Sequence, residues 1–106
     1  MIRIPLMAGE IPEPLAHTFL DADGTAMNLT GFDASAVWEH TDGTTGTLSC
    51  SAGDSTGEIS ATVSAAAVAS TGVVDVVVWV GNGSNRYASP IWRLLIADPP
   101  GAAPSI

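Results

Sequence analysis

Two histidines, one cysteine and a scatter of carboxylates and serines are the residues of this chain that could do chemistry. His17 and His40 belong to separate predicted strands and Cys50 to a third, so two imidazoles and one thiol lack the spacing of metal ligands. Ordinary strand histidines account for them better. Asp21-Ala22-Asp23-Gly24 begins like a calcium loop, but Thr25 and Ala26 follow where further oxygen ligands are required, and no Glu stands at the loop's last position. A plain turn explains it. The serines include no Gly-x-Ser-x-Gly elbow that would expose one as a nucleophile. Gly81-Asn82-Gly83 is no nucleotide fingerprint, because Arg86 occupies the place of the third glycine. The sequence therefore predicts no catalytic residue, no metal ligand and no cofactor-binding residue, and the chain is not expected to be an enzyme. Asn28-Leu29-Thr30 and Asn82-Gly83-Ser84 match glycosylation acceptors, a triplet that is common by chance.

The elements that would position these residues are strands. Leu15 to Leu20 is a predicted strand closed by the Asp21–Gly24 turn. Ala34, Ala36, Trp38 and His40 alternate with Asp33, Ser35, Val37 and Glu39, the two-residue period of a half-buried strand with Trp38 inside. Thr41-Asp42-Gly43-Thr44 joins it to a strand over Thr47 to Cys50 as a hairpin. Ile59, Ala61 and Val63 alternate next. Ser64 to Ser70 is alanine-rich, with Ser64 placed as an N-cap and Gly72 as a stop, which predicts one short helical turn near residues 64–70. Val73 to Val80 is the most apolar run, and a polar hairpin loop leads from it to Arg86 to Ala97, where Pro90 demotes the first half to an edge or bulge. Ile2 to Met7, broken by Pro5, reads as an edge strand or an arm laid on a neighbour. The organisation expected is an arm and linker over 1–13, a domain over 14–97 and an extended tail over 98–106.

Composition points the same way. A chain of 106 residues, 46% hydrophobic and 13% charged, suits one small domain with a real core. About seven short strands with turn signals between them, and no helix long enough for a βαβ crossover, predict an all-β, immunoglobulin-like antiparallel sandwich. A single cysteine allows no internal disulfide. Three arginines and no lysine stand against 11 carboxylates, a net charge of -8, which repels phosphate backbones and anionic lipid and argues against nucleic-acid or membrane partners. No apolar stretch has the length of a membrane helix, and the opening residues lack signal-peptide architecture, so synthesis in the cytoplasm is expected.

The order Pro14-Leu15, Asp21-Ala22-Asp23-Gly24-Thr25, Asn28-Leu29-Thr30-Gly31, Thr41-Asp42-Gly43-Thr44 and Thr56-Gly57-Glu58-Ile59 resembles the amino-terminal immunoglobulin-like domain of phage baseplate upper proteins. The alanine-rich turn ending at Gly72 and the final strand pair continue the likeness, which covers roughly residues 14–97. It implies a virion component of a tailed phage, made in the host cytoplasm, in a family that uses this domain to anchor a receptor-binding apparatus to the tail. The chain lacks that family's long carboxy-terminal extension, so the resemblance leaves a minor tail or baseplate component or a capsid decoration protein. Its partners would be other phage structural proteins, in multiple copies of a symmetric assembly.

One feature of the residues themselves supports assembly. In Val73 to Val80 both faces are apolar, with Val74, Val76, Val78 and Val80 on one and Val73, Val77 and Trp79 on the other. A two-layer sandwich buries only one face of each strand. Either the terminal arm or another subunit should cover the second. The residues expected to touch partners are Val73, Val77 and Trp79, the arm residues Ile2, Ile4 and Leu6, and the tail residues Pro99, Pro100 and Ile106. The alternative is a carbohydrate-binding module that uses Trp79, Trp92 or Tyr87 as stacking platforms.

Overall fold

A computed structural model describes residues 1–101, 104 and 105. The protein is all-β and sandwich-like, with eight strands and one short 3-10 turn among the described residues. The strands are β1 (Ile2–Met7), β2 (Leu15–Thr18), β3 (Asp33–His40), β4 (Thr45–Cys50), β5 (Glu58–Thr62), β6 (Gly72–Gly81), β7 (Arg86–Ala88) and β8 (Trp92–Ala97). They form one continuous sheet in the order β1-β8-β6-β3-β4-β5-β2, with β7 also paired to β6. The sheet folds over at β4, whose first part pairs with β3 (Val37 opposite Thr47) and whose last two residues pair with β5. The two halves then face each other across the core.

Burial follows the two-residue period on both halves. Val74, Val76, Val78 and Val80 of β6 are at most 1% exposed, and Trp92, Leu94 and Ile96 of β8 join them. Leu15, Phe19, Ile59, Ala61 and Val63 close the core from the β2/β5 half. His17 of β2 meets both Phe19 and Trp92 edge-on, at ring-centroid distances of 4.7 and 6.3 Å, which ties the halves together. Leu29 is fully buried although it lies in a loop, because its N–H donates to the Asp54 carbonyl at 2.8 Å and holds that loop against the next. Gly53 allows this closeness, since a Cβ there would lie 2.4 Å from the Leu29 carbonyl oxygen.

Several expectations need correction. Of the two readings of Ile2–Met7 the edge strand holds and the detached arm does not: β1 pairs in parallel with β8 from Ile2↔Trp92 to Met7↔Ala97. Pro5, which has no N–H to donate, is tolerated because β1 is a sheet edge. The strand count rises to eight because Pro90 splits the last segment into β7 and β8. The break is repaired locally: the buried Ser89 hydroxyl accepts the Val78 N–H at 3.0 Å and donates to the Pro90 carbonyl at 2.9 Å. Ala65–Val68 forms the expected turn, but Ser64 makes no side-chain cap and only its carbonyl accepts, from Ala67.

Trp38 is 7% exposed and packs over Gly46, its cross-strand partner, where an added Cβ would lie 2.6 Å from the indole. Glycine here is a seat for the ring. Trp38→Ala is expected to cost roughly 3–5 kcal/mol through the lost packing and the cavity left behind. Denaturant unfolding measures this, and an unchanged midpoint would show that the indole does not fill the core.

Candidate interaction surface

The side chains of β1, β8, β6, β3 and β4 that point away from the core make one broad outer face. Their register fixes which of them are neighbours. Pro5 of β1 pairs with Leu95 of β8, and Leu95 with Val73 of β6. The next outward level carries charge: Arg3 beside Arg93, Arg93 beside Asp75, and Asp75 beside Glu39. Val77 pairs with Val37 beyond it, and Trp79 lies between Ser35 and Ala88. The final level runs from Arg86 through Gly81 to Asp33.

This face is unusually apolar for an outer surface. Trp79 is 42% exposed, Val37 41%, Leu95 36% and Met7 47%, and Val73 and Val77 are half-buried by their neighbours. The Asp75 carboxylate, the one charge within β6, is held by the Arg93 guanidinium in a two-point pair of 2.8 and 3.0 Å. That hydrogen-bonded pair lowers the Asp75 pKa below its ordinary value and raises that of Arg93.

The residues expected to touch partners divide sharply. Val73, Val77 and Trp79 share the outer face, and β1 lies beside β8 without covering them. Ile2 is exposed at the end of β1, but Ile4 and Leu6 turn inward, Leu6 being 6% exposed. Both pack in this chain's own core, so Arg3, Pro5 and Met7 are what β1 presents outward. Pro99 is half-buried and Pro100 exposed, while Ile106 lies outside the described residues. Of the aromatics, Trp92 is core at 3% exposed, which removes it as a stacking platform. Tyr87 stacks on Phe32 at 6.4 Å, and its register with Val80 turns it away from Trp79. Sequence reasoning missed Val37 and Leu95. Val37 carried a signal, being the one apolar member of an otherwise polar alternate set; Leu95 needed the β8 register.

The remaining groups with chemical potential serve structure. His40 is buried; its Nε2 lies 2.9 Å from the Thr71 carbonyl oxygen, and its Nδ1 accepts the Asp42 N–H at 3.0 Å. The carboxylates of Asp23, Asp42 and Asp54 accept the N–H two residues on, from Thr25, Thr44 and Thr56. Hydrogen bonds hold all three below their ordinary pKa, from the threonine hydroxyl first at Asp23 and Asp54 and from the Thr44 N–H first at Asp42. Asn28 and Asn82 make the same turn toward Thr30 and Ser84. Among the described residues no three of His, Cys, Asp and Glu converge as metal ligands.

The fold and this surface define the class: an all-β, sandwich-like domain whose larger half-sheet leaves its outer face uncovered by the described residues of its own chain. Comparison with family models, with curated proteins and with solved structures finds no match to this chain.

Two measurements follow. Burial pushes the Cys50 thiol above its ordinary pKa, so the native protein should react with a thiol reagent at neutral pH far more slowly than the unfolded chain; equal rates would place the thiol in solvent. Desolvation lowers the His17 pKa below 6.5. The unfolded chain therefore binds the proton first, and the stability from the neutral ring is complete above 6.5 and lost as pH falls toward the folded value. His17→Gln should flatten the fall in melting temperature between about pH 7 and pH 5. Identical slopes for the two proteins would mean that the ring titrates alike in both states.

Proposed function

We propose that the chain is a non-enzymatic structural module that works by binding a neighbouring protein subunit through this outer face. The observation that carries the reading is the uncovered apolar set around Trp79, Val37 and Val77, on two paired strands whose opposite faces already fill the core. Half-exposed apolar side chains that share one rigid sheet are what a partner surface needs. The turn motifs that resemble phage baseplate upper proteins extend the proposal to a tailed-phage virion, as a minor tail or baseplate component or a capsid decoration protein. The charge fits: a body of net charge -8 offers nothing to nucleic acid or anionic lipid.

One observation favours a second reading. The exposed indole of Trp79 stands over a shallow hollow lined also by Asp33, Ser35 and Arg86. An aromatic platform flanked by hydrogen-bonding groups is the equipment of a carbohydrate site. In this reading the domain is a sugar-binding module.

The readings separate at Trp79 and Val77. In phage particles grown with the Val77→Asp variant, the chain should fold, with a stability change below about 1 kcal/mol, but fail to enter the particle. Normal incorporation, or absence of the wild-type chain from particles, would defeat the virion proposal. Quenching of Trp fluorescence by an oligosaccharide, lost in Trp79→Ala and kept in Val77→Asp, would establish the sugar-binding module instead.

A further inference from the structure

Charge is distributed over this molecule in a way that its total conceals. All three arginines of the chain, Arg3, Arg86 and Arg93, lie on the outer face, together with three of the 11 carboxylates, Asp33, Glu39 and Asp75. The face is formally neutral, and the whole net charge of -8 resides elsewhere. Within the face the two signs are segregated. The arginines sit on β1, β8 and β7, on one side of a line between β8 and β6, and the carboxylates sit on β6 and β3 on the other.

Such a face complements itself under one symmetry operation. Take a two-fold axis in the plane of the face, parallel to the strands, between β8 and β6. It lays β6 of one copy over β8 and β7 of the other, and β3 over β1. Three outward side chains of β6 then meet the residues they already pair with laterally, now from the second copy: Val73 over Leu95, Asp75 over Arg93, Trp79 over Ala88. Glu39 lies over Arg3, and Arg86 falls one strand spacing from Asp33, within reach of its long side chain. Apolar meets apolar, anion meets cation, and the large indole meets the smallest side chain of its row. An axis perpendicular to the strands would instead stack arginine on arginine. Strands of the two copies run nearly parallel, as aligned sheet packing requires.

From this charge pattern we infer that the outer face binds a second copy of this chain in a two-fold, face-to-face dimer. The inference rests on the subunit-binding reading and names its partner. Under this axis four strands overlap, β1, β8, β6 and β3, while β4 projects beyond the partner's β1; at about 4.8 Å between strands and about six residues of about 3.3 Å each, they offer roughly 400 Å² per copy. The pair buries about 800 Å², the size of a weak or transient contact. A weak dimer, reinforced where an assembly holds many copies close together, is the expected state.

The test leaves the Asp75–Arg93 pair intact and changes only exposed, unbonded residues of the face. One variant carries Arg3→Glu with Arg86→Glu, the other Asp33→Arg with Glu39→Arg. Sedimentation velocity of the full chain should show a concentration-dependent dimer for the wild type. Each variant alone, with its melting curve retained, should associate at least about a hundredfold more weakly, since like charges now oppose one another. An equimolar mixture of the two should dimerise again, because each supplies the sign that the other lacks. A wild-type chain that stays monomeric at its solubility limit, variants that dimerise as well as wild type, or a mixture that fails to associate would each overturn the self-pairing. If the wild type is monomeric and Val77→Asp still blocks entry into particles, the face binds a different subunit: the dimer falls and the subunit-binding reading stands.

Discussion

The burial of one face of β6 is the constraint on which the rest depends. Its valines at 74, 76, 78 and 80 are nearly free of solvent, and the strand pairs with β3 on one side and with β8 and β7 on the other. Because side chains alternate strictly, committing these four to the core commits Val73, Asp75, Val77 and Trp79 to the outside. The period that builds the core thus creates the outer face as its complement. A register slip of one residue would send Asp75 inward and expose the valines, so the register is strongly specified. Registers on β3 and β8 are slaved to that of β6, and β1 follows β8.

The turns explain a charge that the core cannot. Asp23, Asp42, Asp54, Asn28 and Asn82 each accept the backbone N–H two residues later, beside threonine or serine. A small sandwich must reverse its chain many times, and this motif does so without help from the core. Three of the carboxylates behind the net charge are therefore turn-forming devices, and the two glycosylation-like triplets are turns of the same kind. Gly24, Gly43 and Gly83 follow three of these residues with positive φ, a conformation glycine adopts without steric cost.

Most of the strand framework was legible because the alternating sets of β3, β5 and β6 are long and regular, and Pro90 marks its own break. What escaped was everything decided by pairing rather than by period. Ile2–Met7 carries a proline and has no clean alternation, so nothing local says that β8 needs a parallel neighbour on its free edge. Leu29 sits within a turn signature, and only its approach to Gly53 and Asp54 makes it core. Val73, Val77 and Trp79 were legible as an outer set from β6 alone, whereas their neighbours Val37 and Leu95 belong to that surface through register. The misplacement of Ile4 and Leu6 has the same origin: until β1 is paired, its inward side is undefined.

Apolar area and charge do different work on such a face. The apolar set supplies most of the attraction, but it is nearly indifferent to rotation in the plane, since valine against valine or leucine is favourable in many orientations. Charges act the other way: exposed pairs add little net affinity, yet a wrong juxtaposition is costly, so they choose among orientations. Segregating Arg3, Arg86 and Arg93 from Asp33, Glu39 and Asp75 across the line between β8 and β6 penalises a crossing that stacks like on like, while the apolar levels on either side leave the attraction unchanged. The remaining carboxylates lie off the face, where the repulsion between two anionic bodies is screened over a Debye length of about 8 Å at physiological salt. On the self-pairing proposed above, a neutral, sign-segregated face on an anionic body would let copies approach at physiological salt and would orient them once they touch.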